Sequence, residues 1–107
     1  MSAGAQVLCR LVELGDGEAR RFDVGPHRIA VVRLGSRVYA VGDTCSHADV
    51  SLSEGEVDPL ACEIECWKHG SSFSLTTGEP TTLPATKPVP VYDVAVVGDD
   101  VVLTLEP

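Results

Sequence analysis

Cys45-Ser46-His47-Ala48-Asp49-Val50-Ser51-Leu52-Ser53-Glu54-Gly55 and Cys66-Trp67-Lys68-His69-Gly70-Ser71-Ser72-Phe73 are the two stretches from which the chain is best read. Each opens with one thiol and one imidazole at ligand spacing, and eighteen residues separate His47 from Cys66. A lone His is usually a core or surface residue, and an isolated Cys is usually a small buried hydrophobe. Two matched pairs read instead as one metal site made from Cys45, His47, Cys66 and His69. Zinc fingers arrange a Cys pair followed by a His pair, whereas here each loop supplies one of each. That division suits a two-iron cluster in which one iron takes both thiolates and the other both imidazoles.

Outside these loops the pattern is that of strands. Gln6–Leu14, Ala19–Val24, His27–Leu34, Arg37–Val41, Val89–Val97 and Val101–Leu105 are rich in strand-forming residues and bounded by turn residues. Leu34-Gly35-Ser36-Arg37 and Gly98-Asp99-Asp100 carry hairpin signals. In the last strand Val101, Leu103 and Leu105 face one way, Val102, Thr104 and Glu106 the other. Shorter strands are expected at Ala61–Cys66, with Cys62, Ile64 and Cys66 on one face, and at Ser72–Leu75. No stretch has a convincing helical period, and Pro and Gly interrupt the chain too often for ordinary helices. The expectation is an all-β fold: an antiparallel β-sandwich or barrel base with an inserted loop-rich lobe. The base covers about 1–41 and 88–107, the lobe about 42–87, within a single domain.

A chain of 107 residues is one small domain. No apolar run approaches the length that spans a bilayer, and Met1–Leu14 lacks the basic start and apolar stretch of a secretion signal. A protein of the cytoplasm, without a membrane role, is expected. The net charge of −8 argues against a nucleic-acid binder. The charge is also segregated. Residues 1–37 hold six Arg against four acids, while residues 38–67 hold no Lys or Arg and seven acids: Asp43, Asp49, Glu54, Glu56, Asp58, Glu63 and Glu65. Such a run is either a solvated face or a docking face for a basic partner. Nothing forms a Ser/His/Asp triad or a phosphate loop.

The two Cys/His stretches, with Thr77-Gly78 and Leu83-Pro84-Ala85-Thr86-Lys87-Pro88-Val89-Pro90-Val91-Tyr92, resemble the Rieske-type ferredoxins that serve bacterial aromatic-ring dioxygenases. The resemblance covers essentially the whole chain. It implies a Rieske [2Fe–2S] cluster with Cys45 and Cys66 on one iron and His47 and His69 on the other. It implies no catalysis but one-electron transfer, from a flavin-dependent reductase to a terminal non-haem iron oxygenase, with docking through the acidic lobe. It also places Pro84 in a loop that covers the cluster. Similar small proteins accompany iron–sulfur assembly in some bacteria, which gives a second reading; a structural zinc or interaction module is a third.

Departures from the family pattern bear on the potential. High-potential respiratory relatives join the cluster loops by a disulfide, where this chain has Val50 and Lys68. They place a Tyr hydroxyl near a ligand sulfur, where this chain has Phe73, whereas Ser71 stands at their serine contact to a sulfide. Hydrogen bonds to sulfur stabilise the reduced cluster, so the lower part of the Rieske range is expected. The gap between the loops is longer than is usual for the family, which places a loop extension around Asp58-Pro59-Leu60. Cys9 and Cys62 are expected as buried thiols, His27 as a solvent-facing turn residue, and Trp67 as a shield of the cluster ahead of a docking element.

Two ferric ions, two sulfides, two thiolates and two neutral imidazoles carry no net charge, so an electron is added more easily than to an all-thiolate cluster. Imidazole on ferric iron loses its remaining proton more readily than on ferrous iron. The potential is therefore expected to fall with pH in the alkaline range, and a voltammetric titration giving a flat line there would contradict this coupling.

Overall fold

The computed structural model describes residues 4–46, 50–68, 70–83 and 85–105. Among these residues nine strands follow one another: β1 (Gly4–Arg10), β2 (Ala19–Val24), β3 (His27–Leu34), β4 (Arg37–Gly42), β5 (Val57–Asp58), β6 (Glu63–Glu65), β7 (Ser72–Ser74), β8 (Val91–Val97) and β9 (Asp100–Leu105). They form an antiparallel six-stranded sheet in the order β1-β9-β8-β4-β3-β2, and a small sheet β5-β6-β7. Among the described residues the only helical elements are 3₁₀ turns at Leu11–Glu13 and Leu52–Glu54, and no helix is long and apolar enough to cross a membrane.

The all-β expectation is met. Leu34 pairs with Arg37 and Val97 with Asp100, so both expected hairpins close through two residues, with Gly35 and Gly98 at positive φ. The first segment ends sooner than its composition suggests. Strand β1 stops at Arg10, and Leu11–Glu13 turns inward because its carbonyls have a partner: Arg33 Nη1 donates to Leu11 O (3.2 Å) and Leu14 O (2.7 Å). Strand β8 begins at Val91, since Val89 N is already bonded to Gly78 O and Pro90 has no N–H to give. The expected strand at Ala61–Cys66 shrinks to Glu63–Glu65. Asp58 Oδ1 accepts from Leu60 N and Ala61 N and bends the chain, and Cys62 takes a left-handed φ of 57°. The stretch around Asp58-Pro59-Leu60 is thus a surface turn with Leu60 exposed at its tip.

Two cores share one wall. Ile29, Ala30, Val31 and Val32 of β3 are all fully buried. Ile29 and Val31 join Leu14, Ala40, Val101 and Leu103 inside the curl of the large sheet. Ala30 and Val32 point the other way, into a second cluster with Val41, Leu52, Ile64, Phe73, Leu75, Ala85 and Val89. Alternation of side chains along a strand therefore feeds both cores from one segment. This is why β3 reads as a continuous apolar run.

Leu14, fully buried, is the plug that the Leu11–Glu13 turn drives into the first core. Leu14→Ala is expected to lower the unfolding free energy by about 2–5 kcal/mol, the usual cost of a buried leucine truncation. Urea denaturation checks this, and a loss below about 1 kcal/mol would show that the turn is not part of the core.

Candidate metal centre

The second core is where the sequence motif arrives. Cys45 (4% exposed) and Cys66 (0%) lie in the same apolar cluster, each at the start of its loop. None of the four thiols is in a disulfide. His47, His69 and Pro84 lie outside the described residues, as do Asp49 and Glu106.

The first loop is closed by backbone bonds. Cys45 N donates to Val50 O (3.0 Å), Leu52 N donates to Asp43 O (2.6 Å), and Thr44 bridges Ser51. The second loop is a tight turn: Cys66 N donates to Ser71 O (2.7 Å) and Gly70 N to Cys66 O (2.9 Å), with Gly70 at φ 76°. A third segment ties the two together. Ala85 N donates to Ser71 Oγ (2.9 Å), Ser72 N to Thr82 Oγ1 (2.8 Å), and Ser46 Oγ to Lys87 O (2.5 Å). The chain from 82 to 87 is thereby bonded to both cysteine loops.

Ser71 is fully buried, and its oxygen accepts from Ala85 N. A hydroxyl that accepts still has its proton to donate. With two buried thiols in one apolar pocket and a buried O–H beside Cys66, the donor set suits a sulfur-rich metal group shielded from water.

Asp43 corrects the sequence reading. Counted with the acidic face, it is in fact buried (1% exposed). Oδ1 accepts from Ser53 N at 2.9 Å and Oδ2 from Ser51 Oγ; the Ser53 hydroxyl lies 2.8 Å from Ser51 Oγ. Arg21 Nε stands 3.9 Å from Oδ2. Arg21 is itself held by Asp23, to which it donates at 2.9 and 3.2 Å; this bonding keeps the Asp23 carboxyl below, and Arg21 above, the ordinary range. A lone Asp two residues before the Cys-x-His unit gave no sequence signal of burial. The serines eight and ten residues on, at alternate positions of a loop, are the nearest thing to one.

Other expectations shift as well. His27 begins β3 half-buried, its Nδ1 3.3 Å from Tyr92 Oη with the rings edge to face, Tyr92 reaching it from β8, the strand on the far side of β4. Cys9 and Cys62 are half-buried rather than core thiols. Burial pushes the Cys9 thiol up, with Glu13 adding to it, so it stays protonated at neutral pH. Trp67 is 54% exposed, which fits a contact element better than a shield. Leu83, 77% exposed, follows Thr82 at the same end of the molecule.

The model of the Rieske [2Fe–2S] domain matches residues 4–93. This chain belongs to that family. The family's cofactor is the Rieske-type [2Fe–2S] cluster, ligated by Cys and His. Among curated relatives, the 3-phenylpropionate/cinnamic acid dioxygenase ferredoxin subunit of Shigella boydii is 41% identical over 97 residues, covering 91% of this Rieske chain and 90% of its own. The ferredoxin component of biphenyl 2,3-dioxygenase from Rhodococcus jostii is 40% identical, over 92% and 91%. Among solved structures, the ferredoxin of carbazole 1,9a-dioxygenase from Nocardioides aromaticivorans superposes with a TM-score of 0.90 at 38% identity, over 96% and 98% of the two chains. A complex of reduced oxygenase and oxidized ferredoxin in carbazole 1,9a-dioxygenase matches with a TM-score of 0.86 at 38% identity, over 95% and 94%.

Replacing Ser71 by Ala leaves the buried Ala85 N without its acceptor. A loss of about 1–3 kcal/mol is expected in the metal-free protein. In the loaded protein the potential should fall as well. Unchanged values of both would remove Ser71 from the site.

Proposed function

We propose that this Rieske protein is the ferredoxin component of an aromatic-ring-hydroxylating dioxygenase system. It carries single electrons from a flavin-dependent reductase to a terminal non-haem iron oxygenase and performs no catalysis of its own. The observation that carries the reading is the burial of Cys45 and Cys66 in one apolar cluster, each opening one of two loops bonded to a common segment. Cys45 and Cys66 would hold one iron, His47 and His69 the other. When bound, the cluster supplies a one-electron couple whose imidazole ligands raise its potential above that of plant-type ferredoxins. The chain holds the thiols, excludes water with Leu52, Ile64, Phe73 and Ala85, and presents a surface to partners. The relatives' names favour this reading over an assembly-linked or zinc-binding role. The lobe of about 42–87 would be the working part and the base of about 1–41 and 88–107 its support, with the cytoplasm as its compartment.

Docking has a physical basis in the small sheet. Glu56, Asp58, Glu63 and Glu65 line a concavity of about 280 Å³ with Pro59 and Ser72. Asp58 and Glu63 are directly opposed across β5 and β6. Opposed like charges weaken a sheet, so this pair does not serve stability. A carboxylate-lined hollow beside the Cys66 loop attracts a basic surface, with Trp67 and Leu83 as apolar contacts once the partner arrives. Long-range attraction of this kind speeds association and weakens with salt.

Two measurements test the reading. The purified protein should contain iron and acid-labile sulfide in equal amounts and give a Rieske-type EPR signal on reduction; a colourless zinc protein would defeat it. Reversing Asp58 and Glu63 to Lys should slow electron delivery to an oxygenase by about tenfold or more at low salt and flatten its salt dependence. Rates matching the unaltered protein at every salt concentration would exclude the acidic hollow from docking.

A further inference from the structure

Two buried polar residues stand out from the apolar interior among the described residues: Ser71 and Asp43. Asp43 bears a formal charge and is the one whose position the electron-carrier reading leaves unexplained. A carboxylate withdrawn from water is tolerated only when donors surround it, and such donors make stronger bonds to it than to a neutral acceptor. Here the donors come from the far side of the Cys45 loop. Ser53 N and Ser51 Oγ both reach the carboxylate. Because the Ser51 proton is directed at Asp43, the 2.8 Å contact between the two hydroxyls has Ser53 donating to Ser51. The chain Ser53–Ser51–Asp43 thus runs across the base of the loop, and Cys45 is the second residue beyond it.

The backbone closes this loop at its neck. Its links are the two bonds of the Thr44–Ser51 bridge, Cys45 N to Val50 O and Leu52 N to Asp43 O. The side-chain clamp adds a charged acceptor. The carboxylate also faces Arg21 on β2 (3.9 Å), while the backbone N–H of Asp43 separately ties the loop to β3 by donating to Arg28 O (2.9 Å). Among the described residues the Cys66 loop has no comparable buried carboxylate; it is held by Ser71 and the 82–87 segment.

We propose that Asp43, acting through Ser51 and Ser53, is a positioning residue that keeps the Cys45 thiol buried and fixed where the cluster needs it. The role toward the cluster rests on the reading of Cys45 as a ligand; the burial of the thiol does not.

The test uses the full chain in two states. In the metal-free protein, alkylation of Cys45 is followed by peptide mass spectrometry, with Cys9 as the internal reference. In protein reconstituted with iron and sulfide, the visible absorption is followed under excess chelator, and the reduced state is examined by EPR. Asp43→Ala should expose Cys45 to alkylation at least tenfold faster while Cys9 is unaffected. It should also shorten the lifetime of the cluster by a similar factor and broaden its EPR lines. Asp43→Asn keeps an acceptor for Ser53 N and should lie between this variant and the original. Ser51→Ala removes one hydroxyl at a half-buried site and leaves Asp43 its Ser53 N donor, so it serves if Asp43→Ala does not fold; a several-fold effect on both rates is expected in a chain that still folds, at a lowered urea midpoint. Faster alkylation in a chain that takes up no cluster would uphold the clamp and defeat the ligand reading. Alkylation and cluster lifetime within twofold of the original in both Asp43→Asn and Ser51→Ala would overturn the proposal.

Discussion

Everything in this molecule leans on a wall that is apolar on both sides. Strands β3 and β4 bury Ile29, Val31 and Ala40 against the curl of the large sheet, and Ala30, Val32 and Val41 against the loops that carry the thiols. A loop-rich lobe with a small sheet of three short strands could not close a core by itself, since short isolated strands are marginal in water. By borrowing one face of a strand already fixed by its other face, the lobe gains a rigid floor. Cys45 and Cys66 rest on that floor with Leu52, Ile64 and Phe73.

Close packing sets the distance between floor and loops. A Cβ added to Gly55 would come within 1.7 Å of Glu65 O, so the end of the first loop passes directly over β6. A Cβ on Gly78, at φ 76°, would likewise lie only 2.1 Å from Val89 O. Hydrogen bonds then fix what packing only confines: the Asp43 carboxylate for the first loop, the Ser71 hydroxyl for the second, and Lys87 O for Ser46 between them. A metal group needs its ligands set before it arrives, and these contacts belong to the protein alone.

Charge is arranged on a different principle from packing. The carboxylates of β5, β6 and the adjoining turn stay at the surface, where Asp58 and Glu63 face each other at some cost to the sheet. Asp43, from the same acidic run, is drawn inside and neutralised by donors. One stretch of sequence therefore supplies both an attractive outer face and an internal fastening.

Alternation, turn chemistry and ligand spacing are local properties of the chain, so the strand-rich class, the two-residue hairpins at Gly35 and Gly98, and the convergence of Cys45 and Cys66, which share one apolar cluster, were legible in the residues alone. Tertiary structure alone decided which groups became buried or bent. Leu11–Glu13 left the strand because Arg33 and Arg20, from β3 and β2, take up its carbonyls; Cys62 was turned out of β6 by the Asp58 turn, and Trp67 was left facing solvent. Asp43 is the sharpest case. In the sequence only Ser51 and Ser53, eight and ten residues on, hint that this carboxylate is buried and not solvated. The distinction is made by Ser51, Ser53 and a guanidinium on another strand, and only the fold brings them together.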